Sequence, residues 1–252
     1  MTELAGLSDI ALARHLADGA GRILLDLRAS GAFEGKELGT QGDARANEWL
    51  MATLADARPE DGILSEETKD TPARLAKSRV WIIDPVDGTR EYGEARTDWA
   101  VHVGLAIDGR AALGAVALPG LDLVLESVSP PPLAPEAATL RMLVSRTRPA
   151  AEAVAVAEAL GAELVPMGSA GAKAMAVVRG EADIYLHSGG QYEWDNCAPV
   201  AVAEAAGLHC SRIDGGPLRY NNADTWLPDL LICHRARAEQ VLALVRDLPA
   251  AA

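Results

Sequence analysis

Hydrophobic positions first recur at helical spacing near the start of the chain, where Ile10, Leu12, Leu16, Ile23 and Leu27 predict a packing helix over 7–27. Residues 28–42 hold four glycines in a polar context and predict a loop. Helical spacing resumes over 44–54 with Trp49, Leu50 and Leu54 inward and Asp43 in position to cap it. Ile63 and Leu64 end a short strand just before Glu66 and Glu67, and residues 80–83 read as a buried strand. A polar link over 90–98 follows. Val101, Val103, Leu105 and Ile107 then alternate with His102, Gly104 and Ala106, which is strand periodicity. Asp108-Gly109 turns this strand into 111–118, and Gly120 separates 121–126, so three strands form a meander. His102 reads as a packed, hydrogen-bonded side chain rather than a catalyst.

Four prolines between 127 and 137 cannot continue a central strand or helix, and they place a boundary between an N-terminal α+β domain over 1–128 and a C-terminal α/β domain over 138–252. Beyond it the pattern alternates: strand 141–145, helix 150–160, strand 163–166, helix 170–179, strand 182–186 and helix 194–206. Strands 209–213 and 230–233 and a last helix 238–248 complete a layered α/β unit.

Composition narrows the function. A net charge of −13 disfavours nucleic acid, which is held through many basic contacts to phosphate. It is compatible with a small phosphorylated substrate only if cations sit between carboxylates and phosphate, so an acidic phosphate pocket has to be a metal site. Cys197, Cys210 and Cys233 lie in largely apolar surroundings without metal-site spacing and read as reduced thiols. No basic leader precedes an apolar run, and no run approaches the roughly 18 residues of a bilayer span, so a cytoplasmic protein is expected.

The most informative stretch runs from Trp81 to Thr89, an apolar strand entering two carboxylates, a proline, a glycine and a threonine. Pro85 biases Asp84 to extended backbone at the strand's carboxyl end. Gly88 permits a sharp change of direction, which points Asp84, the Val86 carbonyl and Asp87 at hard cations and leaves the amides of Gly88 and Thr89 for an anion. Glu66 and Glu67 point opposite ways in extended chain, so one faces a cation directly; read alone, the pair is surface charge. Asp195 falls in the first turn of a helix that buries Trp194, Cys197 and Ala201, where an isolated aspartate serves the helix dipole. Gly168-Ser169 with Lys173 is a glycine turn into a helix, either structural or an anion receptor.

Asp84-Pro85-Val86-Asp87-Gly88-Thr89, together with Ser65-Glu66-Glu67 and Glu193-Trp194-Asp195, resembles the motif set of the magnesium-dependent, lithium-sensitive inositol monophosphatase family. Gly168, Ser169 and Lys173, with 213–220 and 227–233, resemble its actinobacterial CysQ-type branch, the 3'-phosphoadenosine 5'-phosphate phosphatases. The likeness runs from about Lys36 to Cys233 and implies a layered α-β-α-β-α sandwich of the inositol monophosphatase and sugar phosphatase type. It further implies metal ligands Glu66, Asp84, Val86 (carbonyl), Asp87 and Asp195, with two or three Mg2+ ions per site. Asp43 and Thr89 would orient the attacking water and Glu67 a water or a ligand. Lys36, in a mobile loop, would offset substrate phosphate, whose oxygens the amides of Gly88 and Thr89 would bind. Gly168, Ser169 and Lys173 would read the adenosine monophosphate portion, and a loop holding His187, Gly189, Gly190, Gln191 and Glu193 would shape leaving-group specificity. The implied reaction is hydrolysis of 3'-phosphoadenosine 5'-phosphate to AMP and phosphate, in sulfur assimilation. Inositol monophosphate and fructose 1,6-bisphosphate are alternative substrates, and a catalytically silent phosphate-binding module is the alternative of another class. The expected partner is the small substrate alone, without nucleic acid or membrane; a homodimer stays open.

Overall fold

Two five-stranded sheets alternate with helices in five layers across residues 3–248, the part that the computed structural model describes. The expected outer domain limits, residues 1 and 252, lie outside the described residues. Helices α1 (Asp9–Ala29) and α2 (Gly35–Ala57) form the first layer. They cover a sheet in which β1 (Gly62–Ser65) runs parallel to β2 (Arg79–Asp87), and β3 (Ala100–Ile107), β4 (Arg110–Leu118) and β5 (Leu123–Glu126) follow antiparallel as the expected meander. Trp81, Ile83, Val101 and Val103 face those helices, while Ala100, Val116 and Leu118 face the opposite way onto α5 (Ala170–Val178) and α6 (Glu193–Ala205). A strand buried on both faces has no solvent side to make polar, so β3 is apolar or small at nearly every position.

The same two middle helices receive Leu143, Tyr185, Leu230 and Ile232 from the second sheet. Its strand order is β7 (Glu163–Met167), β6 (Arg141–Ser145), β8 (Ile184–Tyr192), β10 (Trp226–Cys233), β9 (His209–Ser211). Met142, Val144, Ile184 and Leu231 on its far face lie under α4 (Ala151–Leu160) and α7 (Arg235–Arg246). The result is the layered α-β-α-β-α arrangement, with residues 127–140 crossing between the sheets without helix or strand.

Three segments expected as loops are regular. Residues 36–42 belong to α2, so Lys36 lies in its first turn and Asp43 sits inside the helix rather than capping it. The glycines there serve close approach: a Cβ on Gly39 would stand 2.6 Å from Thr89 Cγ2, and one on Gly42 2.7 Å from the Tyr92 ring. Part of the expected polar link forms the short helix α3 (Thr89–Gly93) against those same glycines. Residues 187–192 continue β8, with Tyr192 opposite Trp226 and Gln191 opposite Leu227. Correspondingly β10 starts at Trp226, and a bulge between Leu227 and Asp229 absorbs Pro228, which has no amide for the ladder.

Helix α6 is set directly on the first sheet. Gly104 and Gly114 pair across β3 and β4, and a Cβ on either would stand 2.9 Å or 2.7 Å from the backbone of Ala198. That seat carries the first turn of α6 to the end of β2. Among the described residues no helix is long and apolar enough to cross a membrane.

Candidate active site

Strand β2 ends in a register shift between Asp84, opposite His102, and Asp87, opposite Ala100. The irregularity lets two carboxylates three residues apart converge where a regular pleat would send them to opposite faces. Asp84 Oδ1 accepts the Val86 amide at 3.0 Å, and Gly88 then takes a φ of +89°, a left-handed conformation that favours glycine. From the first turn of α6 comes Asp195, whose Oδ2 accepts the Tyr192 amide at 2.6 Å. One carboxylate oxygen from each of Asp84, Asp87 and Asp195 lies within 4.8 Å of the others.

Three carboxylates this close repel one another strongly. Burial pushes Asp84 well above the usual carboxylate range, and the charges of Glu66, Asp87 and Asp195 add to it. Burial with Asp87 raises Asp195 to about 6, and burial with Asp195 raises Glu66 to about 7. Asp87 differs: burial works in the same direction, but His102, the Ser169 hydroxyl and the Gly171 amide outweigh it and hold the group at about 2. The Ala170 amide adds a further hydrogen bond to Asp87 at 3.0 Å. An all-oxygen cluster with uncompensated charge fits a hard divalent cation.

Around this triad the other expected residues divide. Glu66 stands outside the three clustered carboxylates, at the end of β1, but interacts with Asp84 and Asp195. Glu66 and Glu67 both act on Asp43, which burial first and then these two charges raise to about 8; its Oδ1 is buried without a hydrogen-bond partner. Thr89 donates its hydroxyl to the Val86 carbonyl at 3.1 Å. Lys36 shares with Thr40, Thr89 and Arg90 a cavity of about 470 Å³.

The residues expected to read the nucleotide are mostly engaged inside the protein. The Gly168 amide donates to Asp98 at 2.7 Å, and Ser169, besides donating to Asp87, caps α5 by accepting the Ala172 amide at 2.9 Å. The amides of Gly168, Ala170 and Gly171 therefore meet protein carboxylates rather than an anion. Lys173 is buried, its ammonium donating to the Ser169 carbonyl at 2.6 Å and lying 5.2 Å from the Tyr185 ring centre. Burial lowers its pKa against the opposing pull of Asp87 and Glu91. Glu193 is fully buried and accepts the amides of Asn221 at 2.7 Å and Asn222 at 2.8 Å, fixing the turn before β10. His187 instead opens on a cavity of about 290 Å³ that it lines with Ser145, Arg148 and Ser188.

His102 is the packed, hydrogen-bonded side chain expected from the sequence, and it also borders Asp87. It is fully buried, with Nδ1 2.9 Å from the Trp194 carbonyl and Nε2 3.2 Å from Asp87 Oδ2, in ion-pair range but off the line of a hydrogen bond. Its only sequence signal was parity, since it points away from the face of Val101 and Val103.

The sequence matches the inositol monophosphatase family over residues 8–250. It is 46% identical over 259 aligned positions to the 3'-phosphoadenosine 5'-phosphate phosphatase of Mycobacterium leprae, covering 97% of this chain and 96% of that one. It is 28% identical to the 3'(2'),5'-bisphosphate nucleotidase CysQ of Escherichia coli, over 75% of this chain and 81% of that one. Among solved structures, CysQ from Bacteroides thetaiotaomicron superposes with a TM-score of 0.78 at 24% identity, covering 92% of this chain and 99% of that one. The inositol monophosphatase of Anabaena superposes with a TM-score of 0.76 at 21% identity, over 95% and 96%. With a family match spanning nearly its whole length, and with the fold and the carboxylate triad both in place, this chain belongs to the inositol monophosphatase family.

Proposed function

We propose that the protein is a Mg2+-dependent phosphomonoesterase that hydrolyses 3'-phosphoadenosine 5'-phosphate to AMP and phosphate. Asp84, Asp87 and Asp195, with Glu66 and the Val86 carbonyl, would hold two or three ions. Bound there, Mg2+ supplies positive charge for the phosphate oxygens and the leaving alkoxide and lowers the pKa of water. The chain's own part is to place that water. Its two protons have two acceptors, the unpartnered Asp43 Oδ1 and Thr89 Oγ1, whose own proton goes to the Val86 carbonyl. So held, the water turns a lone pair to phosphorus. The new P–O bond forms as the bond to the sugar 3'-oxygen breaks, one water proton passes to Asp43 in its ionised form, which cations neutralising Glu66 and Glu67 would favour, and the alkoxide is reprotonated from solvent.

The observation that carries the substrate assignment is the cavity lined by Arg148, His187, Ser145 and Ser188, to which Lys173 couples the triad electrostatically. Lys173 feels Asp87 and Asp195 on one side and acts on His187 on the other, where Arg148 acts as well. A substrate with a second phosphate uses that cavity; inositol 1-phosphate has nothing to place there. The relative from M. leprae, which carries the same activity in its name, supports this reading. The gap between Lys173, buried and bound to backbone carbonyls, and Arg148 on the cavity wall moves the contact for the remote phosphate towards Arg148 and His187.

The test compares kcat/KM for 3'-phosphoadenosine 5'-phosphate, inositol 1-phosphate and fructose 1,6-bisphosphate, in metal-depleted protein and after Mg2+ is restored. The nucleotide is expected to lead, with turnover only when Mg2+ is present, and Arg148→Ala should lower kcat/KM for the nucleotide at least about 10-fold more than for inositol 1-phosphate. Full turnover without metal contradicts the cation reading; a preference for inositol 1-phosphate contradicts the substrate reading alone.

A further inference from the structure

We infer that His102 is a positioning residue that holds Asp87 and the Asp195-bearing helix at the spacing a divalent cation requires. The inference rests on the metal reading above and concerns a residue outside the ligand set.

Its two ring nitrogens reach two different elements. Nε2 lies 3.2 Å from Asp87 Oδ2 at the end of β2, and Nδ1 lies 2.9 Å from the carbonyl of Trp194, the residue immediately before Asp195 in α6. A third element clamps the ring from the side: a Cβ on Gly171 would stand 1.9 Å from Nε2, so only glycine in the first turn of α5 lets the imidazole occupy this place. The Gly171 amide itself donates to Asp87. Strand β2, α5 and α6 therefore meet at one buried imidazole, and two of them carry a metal carboxylate.

The division of labour around Asp87 shows what His102 adds. Ser169, Ala170 and Gly171 already hold the carboxylate with aligned donors, all from the entry to α5. None of these hydrogen bonds reaches α6. His102 alone among these donors links Asp87 to the turn that presents Asp195, and because Ser169 and Gly171 both donate to Oδ2, it is Oδ1, which accepts the Ala170 amide, that keeps capacity for a cation. Loss of the ring would leave Asp87 anchored while freeing its distance to Asp195. A metal site is sensitive to such a change, since outer partners of ligating groups typically contribute 10- to 100-fold in affinity.

The experiment measures Mn2+ binding by electron paramagnetic resonance to the full chain without substrate, for the wild type, His102→Asn and His102→Gln, alongside melting in EDTA. Asn can reproduce only the contact to the Trp194 carbonyl, whereas the longer Gln amide can also approach Asp87. His102→Asn is expected to bind Mn2+ about 10- to 100-fold more weakly, with His102→Gln recovering part of that loss, while melting in EDTA changes little. Wild-type affinity in His102→Asn overturns the inference. Absence of Mn2+ binding by the wild type instead overturns the metal reading. If the variants do not fold, 15N spectra of the wild-type imidazole decide: its resonances should move on titration with Mg2+, and unmoved resonances at saturating Mg2+ overturn the inference.

Discussion

Replacing Gly114 by alanine tests whether the fold itself sets the catalytic geometry. A Cβ at this position would stand 2.7 Å from both Cα and the carbonyl oxygen of Ala198, where about 3.4 Å is the shortest ordinary contact, so α6 has to retreat by about 0.7 Å. The obstacle is backbone, which cannot rotate aside as a flexible side chain would. Overpacking of this kind costs about 1–3 kcal/mol. For a chain of this size each kcal/mol lowers Tm by about 2–4 °C, which sets the expected fall at about 2–12 °C. Asp195 lies one helical turn before Ala198 and moves with it, away from Asp84 and Asp87, which stay on β2. A displacement approaching 1 Å at a reacting centre can cost about 100-fold in rate. Gly114→Ala should therefore raise the Mg2+ concentration for half-maximal turnover by about 10-fold or more and lower kcat, and Gly6→Ala, with nothing within 4 Å of its Cβ, serves as the control. Calorimetry and a Mg2+ titration of phosphate release give both quantities. Wild-type melting together with an unchanged Mg2+ requirement in Gly114→Ala would refute the claim that α6 rests on this glycine pair.

Mg2+ should stabilise the protein more at pH 8 than at pH 5.5. Burial first, and then neighbouring carboxylates, raise Asp195 to about 6, Glu66 to about 7 and Asp43 to about 8, above their values in the unfolded chain, so ionising them costs the metal-free fold stability that is lost progressively as pH rises from about 4 to 8. Cations remove that repulsion, and a Mg2+-induced Tm shift that is the same at both pH values contradicts the account. Glu193→Gln should lower stability by about 1–3 kcal/mol, because one oxygen that accepts the turn amides becomes a donor, while the KM for the nucleotide changes less than about 3-fold. A normal Tm with a large rise in KM would return Glu193 to the substrate.

How far the chain could be read depended on whether a residue's role was local. Asp84, Asp87 and Gly88 were legible because a strand end, a proline and a glycine constrain their own backbone within six residues, and the structure places the two aspartates together with Asp195. The glycines of 35–42 misled because glycine breaks a helix by local propensity yet also permits two helices to touch, and only the contacts with Thr89 and Tyr92 decide between the two. The strand through 187–192 was hidden for a related reason, since Gly189 and Gly190 read as turn residues while their pairing partners near Trp226 lie more than thirty positions away. Glu193, Ser169 and Lys173 form a third case. Their residue types suit a ligand, but in the folded chain their polar atoms already meet Asn221, Asp87 and a backbone carbonyl.

That third case bears on how one fold can serve several phosphate esters. On the proposed function, the carboxylate triad and the seat of α6 on Gly104 and Gly114 would fix where phosphorus lies, and both are built from groups packed in the interior. The Arg148 and His187 cavity lies instead beyond the end of β6, beside β8 and the start of α4, and its lining includes no residue of β2 or α6. On the proposed function, chemistry and substrate choice would then be physically separable in this chain. Substitutions around Arg148 should redirect it among phosphomonoesters at nearly constant Mg2+ requirement, whereas substitutions that move α6 should weaken turnover of every substrate alike.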